Sequence, residues 1–141
     1  MLFNKEFVSL KDIEKIVCVE NKLEVGRLFF HILKSNKLLI NFFNKNIYTT
    51  NDLYTFLSSL KLYLDIINSS KNKNDVVLQF PKYLFNEKDV FLKIYDNLNK
   101  KKIKKIYKNI FKVEKLLRSN SSFFSIIGLR FLLSTKKIII S

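Results

Sequence analysis

Apolar residues recur at intervals of three and four positions along almost all of this 141-residue chain. That interval places them on one side of an α-helix, whose turn takes 3.6 residues, whereas a half-buried strand would alternate polar and apolar residues. Only two glycines and one proline are present to interrupt the pattern. We therefore predict an all-α fold, a single domain of five to six helices.

Local signals divide the first half of the chain into helices. Ser9 followed by Asp12 resembles a capping box, and Ser35 with Asn36 suits a turn or cap between two short helices. The stretch "NSSKNKND", residues 68–75, is polar and small and is the clearest predicted loop. Four helices are predicted in this half: a short one after Ser9, two more at residues 22–34 and 37–44, and a long amphipathic one from Thr50 to Asn68.

The second half contains two more clear helices. Pro81 stops a short apolar piece, residues 76–80, and favours an extended Phe80. Asn86 and Asn99 are the expected caps of the next two helices. The last helix, about Ser122 to Ser134, is apolar nearly all round, which is typical of a central helix or an interface. We expect a lead-in at 1–8, a helical domain at 9–134, and a tail at 135–141 that is either disordered or a partner contact.

The chain is strongly basic, with a net charge of +14 at pH 7, which usually indicates binding to nucleic acid or an anionic surface. Part of this charge follows from composition, because alanine and tryptophan are absent and the abundant Lys, Asn, Ile and Phe have AT-rich codons. The lysines of the Asn99 helix are either its solvated side, a contact for phosphate, or a contact for an acidic protein. The candidate phosphate contacts are Lys101, Lys104, Lys105, Lys108 and Lys112.

The sequence lacks the residues that common catalytic sites require. Two glycines cannot form a glycine-rich phosphate loop, and one histidine and one cysteine cannot form a structural zinc site. We expect His31 to be a packed histidine and Cys18 a buried thiol, and we find no pair of carboxylates placed for acid-base catalysis. The prediction is no catalytic residue, no cofactor, no metal and no catalysis by this chain.

Neither a membrane span nor an export signal is expected. No apolar run approaches the ~20 residues that a transmembrane helix needs. Lys5 and Glu6 occupy the region that is apolar in a signal peptide. We therefore expect a cytoplasmic protein.

Three local signatures resemble a known family. The first is Pro81 followed by "KYLF" and the charged helix start "NEKD"; the second is Glu114 with Arg118 four positions later in "VEKLLRSN". The third is Arg130 within the apolar helix "IIGLRFLL". Together with "VSLKDIEKIV" near the start, they resemble the C-terminal domain of the delta subunit of the bacterial DNA polymerase III clamp loader, especially its alphaproteobacterial branch. That domain is the last of a longer subunit.

The resemblance implies a helical collar domain through which clamp-loader subunits associate into a ring. Such a module belongs to the DNA polymerase holoenzyme and serves DNA replication by helping to load the sliding clamp, but it hydrolyses nothing itself. Its expected partners are the other clamp-loader subunits. From the charge of the chain we also expect weak non-specific DNA contact, and we expect no contact with a membrane. The candidate interface or seam residues are Glu114, Arg118 and Arg130, with Glu114 and Arg118 placed to pair on one helical face.

The alternative is a small basic helical protein that binds nucleic acid non-specifically through residues 100–115. Lysines on several sides of that helix, few arginines and no aromatic platform favour charge attraction over base recognition. A protein lying on a membrane surface is less favoured, because apolar residues in so many helices are needed for the core.

Overall fold

The computed structural model describes residues 24–141, and the first helix predicted after Ser9, the lead-in at 1–8 and Cys18 lie outside that range. This part of the chain is all-α, as predicted, and contains no strand. It has short 3-10 turns at Arg27–His31, Lys82–Glu87 and Ser121–Phe123. Its six complete helices are α1 (Asn36–Asn46), α2 (Thr50–Ser69), α3 (Lys73–Gln79), α4 (Lys88–Asn97), α5 (Lys100–Ser119) and α6 (Phe124–Ile140).

Polar side chains begin four of these helices. Ser35 accepts a hydrogen bond from the backbone N–H of Leu38, and the Asn99 side chain caps α5 in the same way, so both predicted caps are confirmed. Thr49 forms a capping box with Asp52 at the start of α2. Asn72 caps α3, a helix that the sequence analysis did not predict.

Two local predictions are wrong, and a third is correct except for its end. The loop expected at 68–75 is reduced to a short turn, because Asn72 supplies a cap and α3 begins at Lys73. Asn86 is not the cap of α4; it lies inside a 3-10 turn, and α4 begins at Lys88 without a side-chain cap. Of the helix predicted at 22–34, residues 24–26 are α-helical and continue into the 3-10 turn at Arg27–His31, so it ends three residues early; residues 22–23 lie outside the described range.

The last helix is longer than the sequence predicted. It continues to Ile140, so all residues of the tail expected at 135–141 except the last belong to α6. Thr135 and Ile139 are fully buried, and Thr135 donates a hydrogen bond to the carbonyl of Phe131, one turn earlier. The apolar residues near the end of the chain are therefore part of the core.

Helices α2 and α5 pack against each other and run antiparallel. Three contacts show this direction, because residue numbers decrease along α2 as they increase along α5. They are Asp65 with Tyr107, Lys61 with Glu114, and Thr50, which donates a hydrogen bond to the carbonyl of Ser121 at 3.2 Å. Helix α6 packs along α5 on another side.

A cluster of aromatic rings joins the first turn to α2 and α4. Its ring centroids lie 4.8 to 6.1 Å apart, within the range of favourable edge and offset contacts. Phe80 joins the cluster in an extended conformation, as expected before Pro81. The members are Phe29, Phe30, Tyr63, Phe80 and Phe91.

Candidate functional site

Six of the eight lysines of α5 lie on one exposed face of the helix, which we call the lysine stripe. The five predicted phosphate contacts are all exposed, and Lys115 extends their series. Apart from the adjacent Lys104 and Lys105, they follow one another at three or four residues, which places all six on one face, opposite the buried face of the same helix. The prediction that these lysines lie on several sides of the helix is therefore wrong. The buried residues opposite are Ile103, Ile106, Ile110, Val113 and Leu117.

This stripe contains no carboxylate. Helix α5 carries eight lysines and one arginine against a single glutamate, a net charge of +8 out of the +14 of the chain. That glutamate, Glu114, lies towards α2, where it pairs with Lys61. No ion pair joins the six stripe lysines to any other residue in the range 24–141.

Lys102 differs from its neighbours because it has a structural role. Its ammonium donates hydrogen bonds to the carbonyls of Asn97 at 3.0 Å, Ile139 at 3.2 Å and Ser141 at 2.6 Å. A cation is favourable at a helix C-terminus, where backbone carbonyls lack partners within the helix. Lys102 therefore ties the end of α6 to the start of α5 and is not part of the stripe.

The structure separates the three residues that were predicted as an interface or seam. Glu114 forms an ion pair with Lys61 of α2, and its side chain is only 18% exposed. Arg118 is exposed and has no carboxylate partner among the described residues, so the predicted Glu114–Arg118 pair is not formed. The place of Glu114 on the apolar side of α5 indicated that it needs a partner, but nothing in the sequence identified Lys61.

Two further contacts continue this polar seam between α2 and α5. The hydroxyl of Tyr107 donates a hydrogen bond to Asp65, and burial together with this bond raises the pKa of Tyr107 above its ordinary value. The ammonium of Lys61 lies 5.6 Å from the centroid of the Phe111 ring, within the range of a cation–π contact. Glu114 is thus a member of an intramolecular seam.

Arg130 lies elsewhere, in a groove between α5 and α6. The groove has a volume of about 310 Å³, and Lys112 is the other cation among its lining residues. Leu116 is 49% exposed and Ile126 is 57% exposed, although both are apolar. Helix α6 therefore buries one side in the core, and on its exposed side Ile126 lies among polar residues such as Arg130 and Ser134.

A larger cavity of about 560 Å³ lies between α2 and the Lys82–Glu87 turn. Its polar lining consists of hydroxyl and amide side chains, including Tyr54, Ser58 and Tyr83, with no carboxylate, histidine, cysteine or cation. Burial raises the pKa of Tyr63, at the same cavity, so this phenol stays protonated at neutral pH. The cavity has no group that would serve as an acid or base near pH 7.

Other chemistry-bearing residues of the described range are dispersed. No group of three or more His, Cys, Asp or Glu side chains lies close enough together to hold a metal ion. His31 packs against Phe42 with ring centroids 3.9 Å apart, which confirms a packed histidine. None of the helices between residues 24 and 141 is long and apolar enough to cross a membrane.

The features with a functional interpretation are therefore two surfaces on α5: the lysine stripe, and the groove that α5 shares with α6. Comparison of the chain with protein-family models, with curated proteins and with solved structures finds no match.

Proposed function

We propose that this chain is a non-catalytic association module of a bacterial replicative clamp loader, equivalent to the collar domain of the delta subunit. It binds other clamp-loader subunits in the cytoplasm and serves DNA replication as part of the polymerase holoenzyme. The observation that carries this proposal is the exposed apolar groove between α5 and α6, because Arg130, one of the residues behind the resemblance, lies in it.

The groove has the composition of a protein contact. Leu116 and Ile126 are exposed side by side across two helices, and neighbouring exposed apolar residues favour association more than scattered ones do. Lys112 and Arg130 add positive charge to an apolar centre, an arrangement that favours a partner helix with an apolar face edged by Asp or Glu.

The segment after Pro81 supports the same interpretation. Of its residues, only Leu84 is buried, whereas Tyr83 and Phe85 are exposed. Lys88 lies 4.4 Å from the centroid of the exposed Phe85 ring, within the range of a cation–π contact. The aromatic residues of this signature are thus available for contact with another subunit, and large exposed aromatic side chains are common binding anchors.

The test is association with the clamp-loader subunits encoded in the same genome, measured by calorimetry or analytical ultracentrifugation. The double variant Leu116→Gln with Ile126→Gln removes apolar surface from the groove. Its matched control is Leu38→Gln with Leu78→Gln, two exposed leucines on α1 and α3. We expect the groove variant to bind at least roughly tenfold more weakly, equivalent to about 1.4 kcal/mol, and the control to bind like the unmodified chain.

Three results would overturn the proposal. The first is an unmodified chain that binds none of these subunits, and the second is a groove variant that binds them normally. The third is a large fall in the melting temperature of the groove variant alone, because that would mean that Leu116 and Ile126 are packed within the folded chain and not available to a partner.

A further inference from the structure

We propose that the lysine stripe of α5, Lys101 to Lys115, binds the phosphate backbone of duplex DNA without sequence selectivity. This activity goes beyond the proposed function, which assigns protein association to the groove between α5 and α6. The two surfaces share Lys112 but differ in chemistry, since one is a row of ammonium groups and the other has an apolar centre.

The geometry of the stripe suits a linear polyanion. The lysines span fourteen residue steps, or about 21 Å of helix at 1.5 Å per residue. They provide one or two ammonium groups for each turn, all exposed and on the same face. A stripe of that length is sufficient for three to five phosphate contacts. The members are Lys101, Lys104, Lys105, Lys108, Lys112 and Lys115.

Helix α2 shows that the lysine-rich composition of the chain does not by itself account for the lysines on α5. It has the same length as α5, 20 residues, and belongs to the same lysine-rich chain, yet Lys61 is its only lysine. Its exposed positions include Asn51, Ser58 and Asp65. A skewed composition raises the number of lysines in the chain, but it does not explain why they are concentrated on one helix and absent from the exposed side of the other.

The stripe also opposes the stability of its own helix. Lysines three and four positions apart repel one another, and the first turn of α5 holds Lys100 to Lys102 and no acid, where the helix dipole favours negative charge. A bound polyanion would relieve both effects. Local features that conflict with stability are more common at functional sites than elsewhere.

Duplex DNA fits this surface better than a membrane does. A helix that lies in a membrane interface inserts an apolar face, but that face of α5 is buried against the core through Ile103, Ile106 and Ile110. Selective reading of bases uses arginine, asparagine or glutamine in a groove, and the stripe offers lysine alone. Attraction to phosphates is therefore the expected mode of binding.

The test is fluorescence anisotropy with labelled duplexes of AT-rich and GC-rich sequence, between about 50 and 200 mM salt. For three to five contacts, the slope of log K against log salt is about −2.7 to −4.5 at 0.9 for each contact. We expect that slope with both sequences, and similar affinities for them. Tight binding of only one sequence at about 200 mM salt would overturn the proposal.

Two variants that lose the same number of positive charges distinguish the contribution of the stripe lysines to DNA binding from that of the net charge of the chain. The stripe variant replaces Lys101, Lys104, Lys105 and Lys108 with Gln, which keeps a high helix propensity. The control replaces four exposed lysines on other elements, Lys37, Lys71, Lys82 and Lys93, with Gln. We expect the stripe variant to bind DNA at least roughly tenfold more weakly and with a slope smaller by about 2 or more, and the control to change the slope by less than about 1.

Equal losses in the two variants would mean that only bulk charge matters, and would overturn the proposal. So would a stripe variant that keeps its DNA affinity but loses binding to phosphatidylserine vesicles. The stripe variant should still bind clamp-loader subunits, because the groove residues Leu116, Ile126 and Arg130 are untouched. Failure of the DNA inference is thereby distinguished from failure of the proposed function.

Discussion

Glu114 forms its ion pair with Lys61, across the interface between the two longest helices of the domain. The two side chains are 18% and 35% exposed, so the pair is neither fully buried nor freely solvated. A surface pair contributes up to about 1 kcal/mol, while removing one member of a buried pair costs about 3 to 5 kcal/mol. The partial exposure places this pair near the upper end of the surface range.

The first prediction compares two double-mutant cycles in the free energy of unfolding. Glu114→Gln combined with Lys61→Met should show a coupling energy of about 1 kcal/mol, because the two groups are in contact. Glu114→Gln combined with Arg118→Met should couple by less than about 0.5 kcal/mol, the value for an exposed pair at most. Urea titrations of the single and double variants measure both. A larger coupling for Arg118 than for Lys61 would contradict the observed pairing.

Asn99 and Lys61 show how far the sequence predicts this structure. Asn99 acts on a backbone N–H three residues away, so its cap is a local feature and the sequence predicts it. Lys61 forms its ion pair with Glu114, fifty-three positions later in the chain. That contact depends on how α2 packs against α5, which no local signal in the sequence gives. The helical period likewise indicated which side of α5 is buried, but not which helices cover that side.

The end of α6 is a second place where the structure depends on tertiary packing and not on local sequence signals. The residues "KKIIIS" have no start or stop signal of their own, and the sequence left them as a tail. The structure continues the helix because Ile138 and Ile139 are buried and Lys102 binds the last carbonyls. Tertiary contacts of this kind outweigh weak local preference.

The second prediction uses two adjacent isoleucines at this end. Ile139 is 0% exposed and Ile140 is 58% exposed. Ile139→Ala should reduce the free energy of unfolding by about 2 to 4 kcal/mol, because it removes packed methylene groups and leaves a cavity. Ile140→Ala should change it by less than about 0.5 kcal/mol. Similar small effects in chemical denaturation of both variants would mean that this segment does not pack against the core.

The third prediction concerns the two glycines. A Cβ at Gly128 would lie 2.9 Å from Leu53 Cδ1 and 2.9 Å from Phe43 Cζ, and both of these side chains are fully buried. Gly128→Ala should therefore destabilise the fold by about 1 to 2 kcal/mol, because the strain of overpacking exceeds the gain in helix propensity.

Gly26 provides the control for this substitution. It has helical backbone angles, and its nearest neighbour would be the Ser59 hydroxyl at 3.3 Å, which can rotate. Gly26→Ala should be neutral or stabilise by up to about 1 kcal/mol. Thermal unfolding of both variants under the same conditions gives the comparison, and a stabilising Gly128→Ala would show that α2 and α6 are not packed this closely.

The fourth prediction concerns pH and follows from the environment of His31. Burial lowers the pKa of His31 below its ordinary value; Lys34 and, more weakly, Arg27 act in the same direction, while Glu87 and Glu24 oppose them. The unfolded chain therefore binds the proton more readily than the folded chain does. The stabilisation that depends on a neutral His31 is therefore fully present above about pH 6.5, which is the pKa of histidine in the unfolded chain. It decreases as the pH falls through and below that value.

The variant His31→Gln isolates this effect, because the carboxylates that titrate at lower pH are common to both proteins. Between about pH 7.5 and 5.5, the unmodified chain should lose more free energy of unfolding than the variant does. Urea denaturation at several pH values measures the difference, and proton NMR of the single histidine in the folded chain reports its titration directly. Parallel curves for the two proteins, or a folded-state titration above the unfolded value, would show that the contact with Phe42 does not disfavour the charged imidazole.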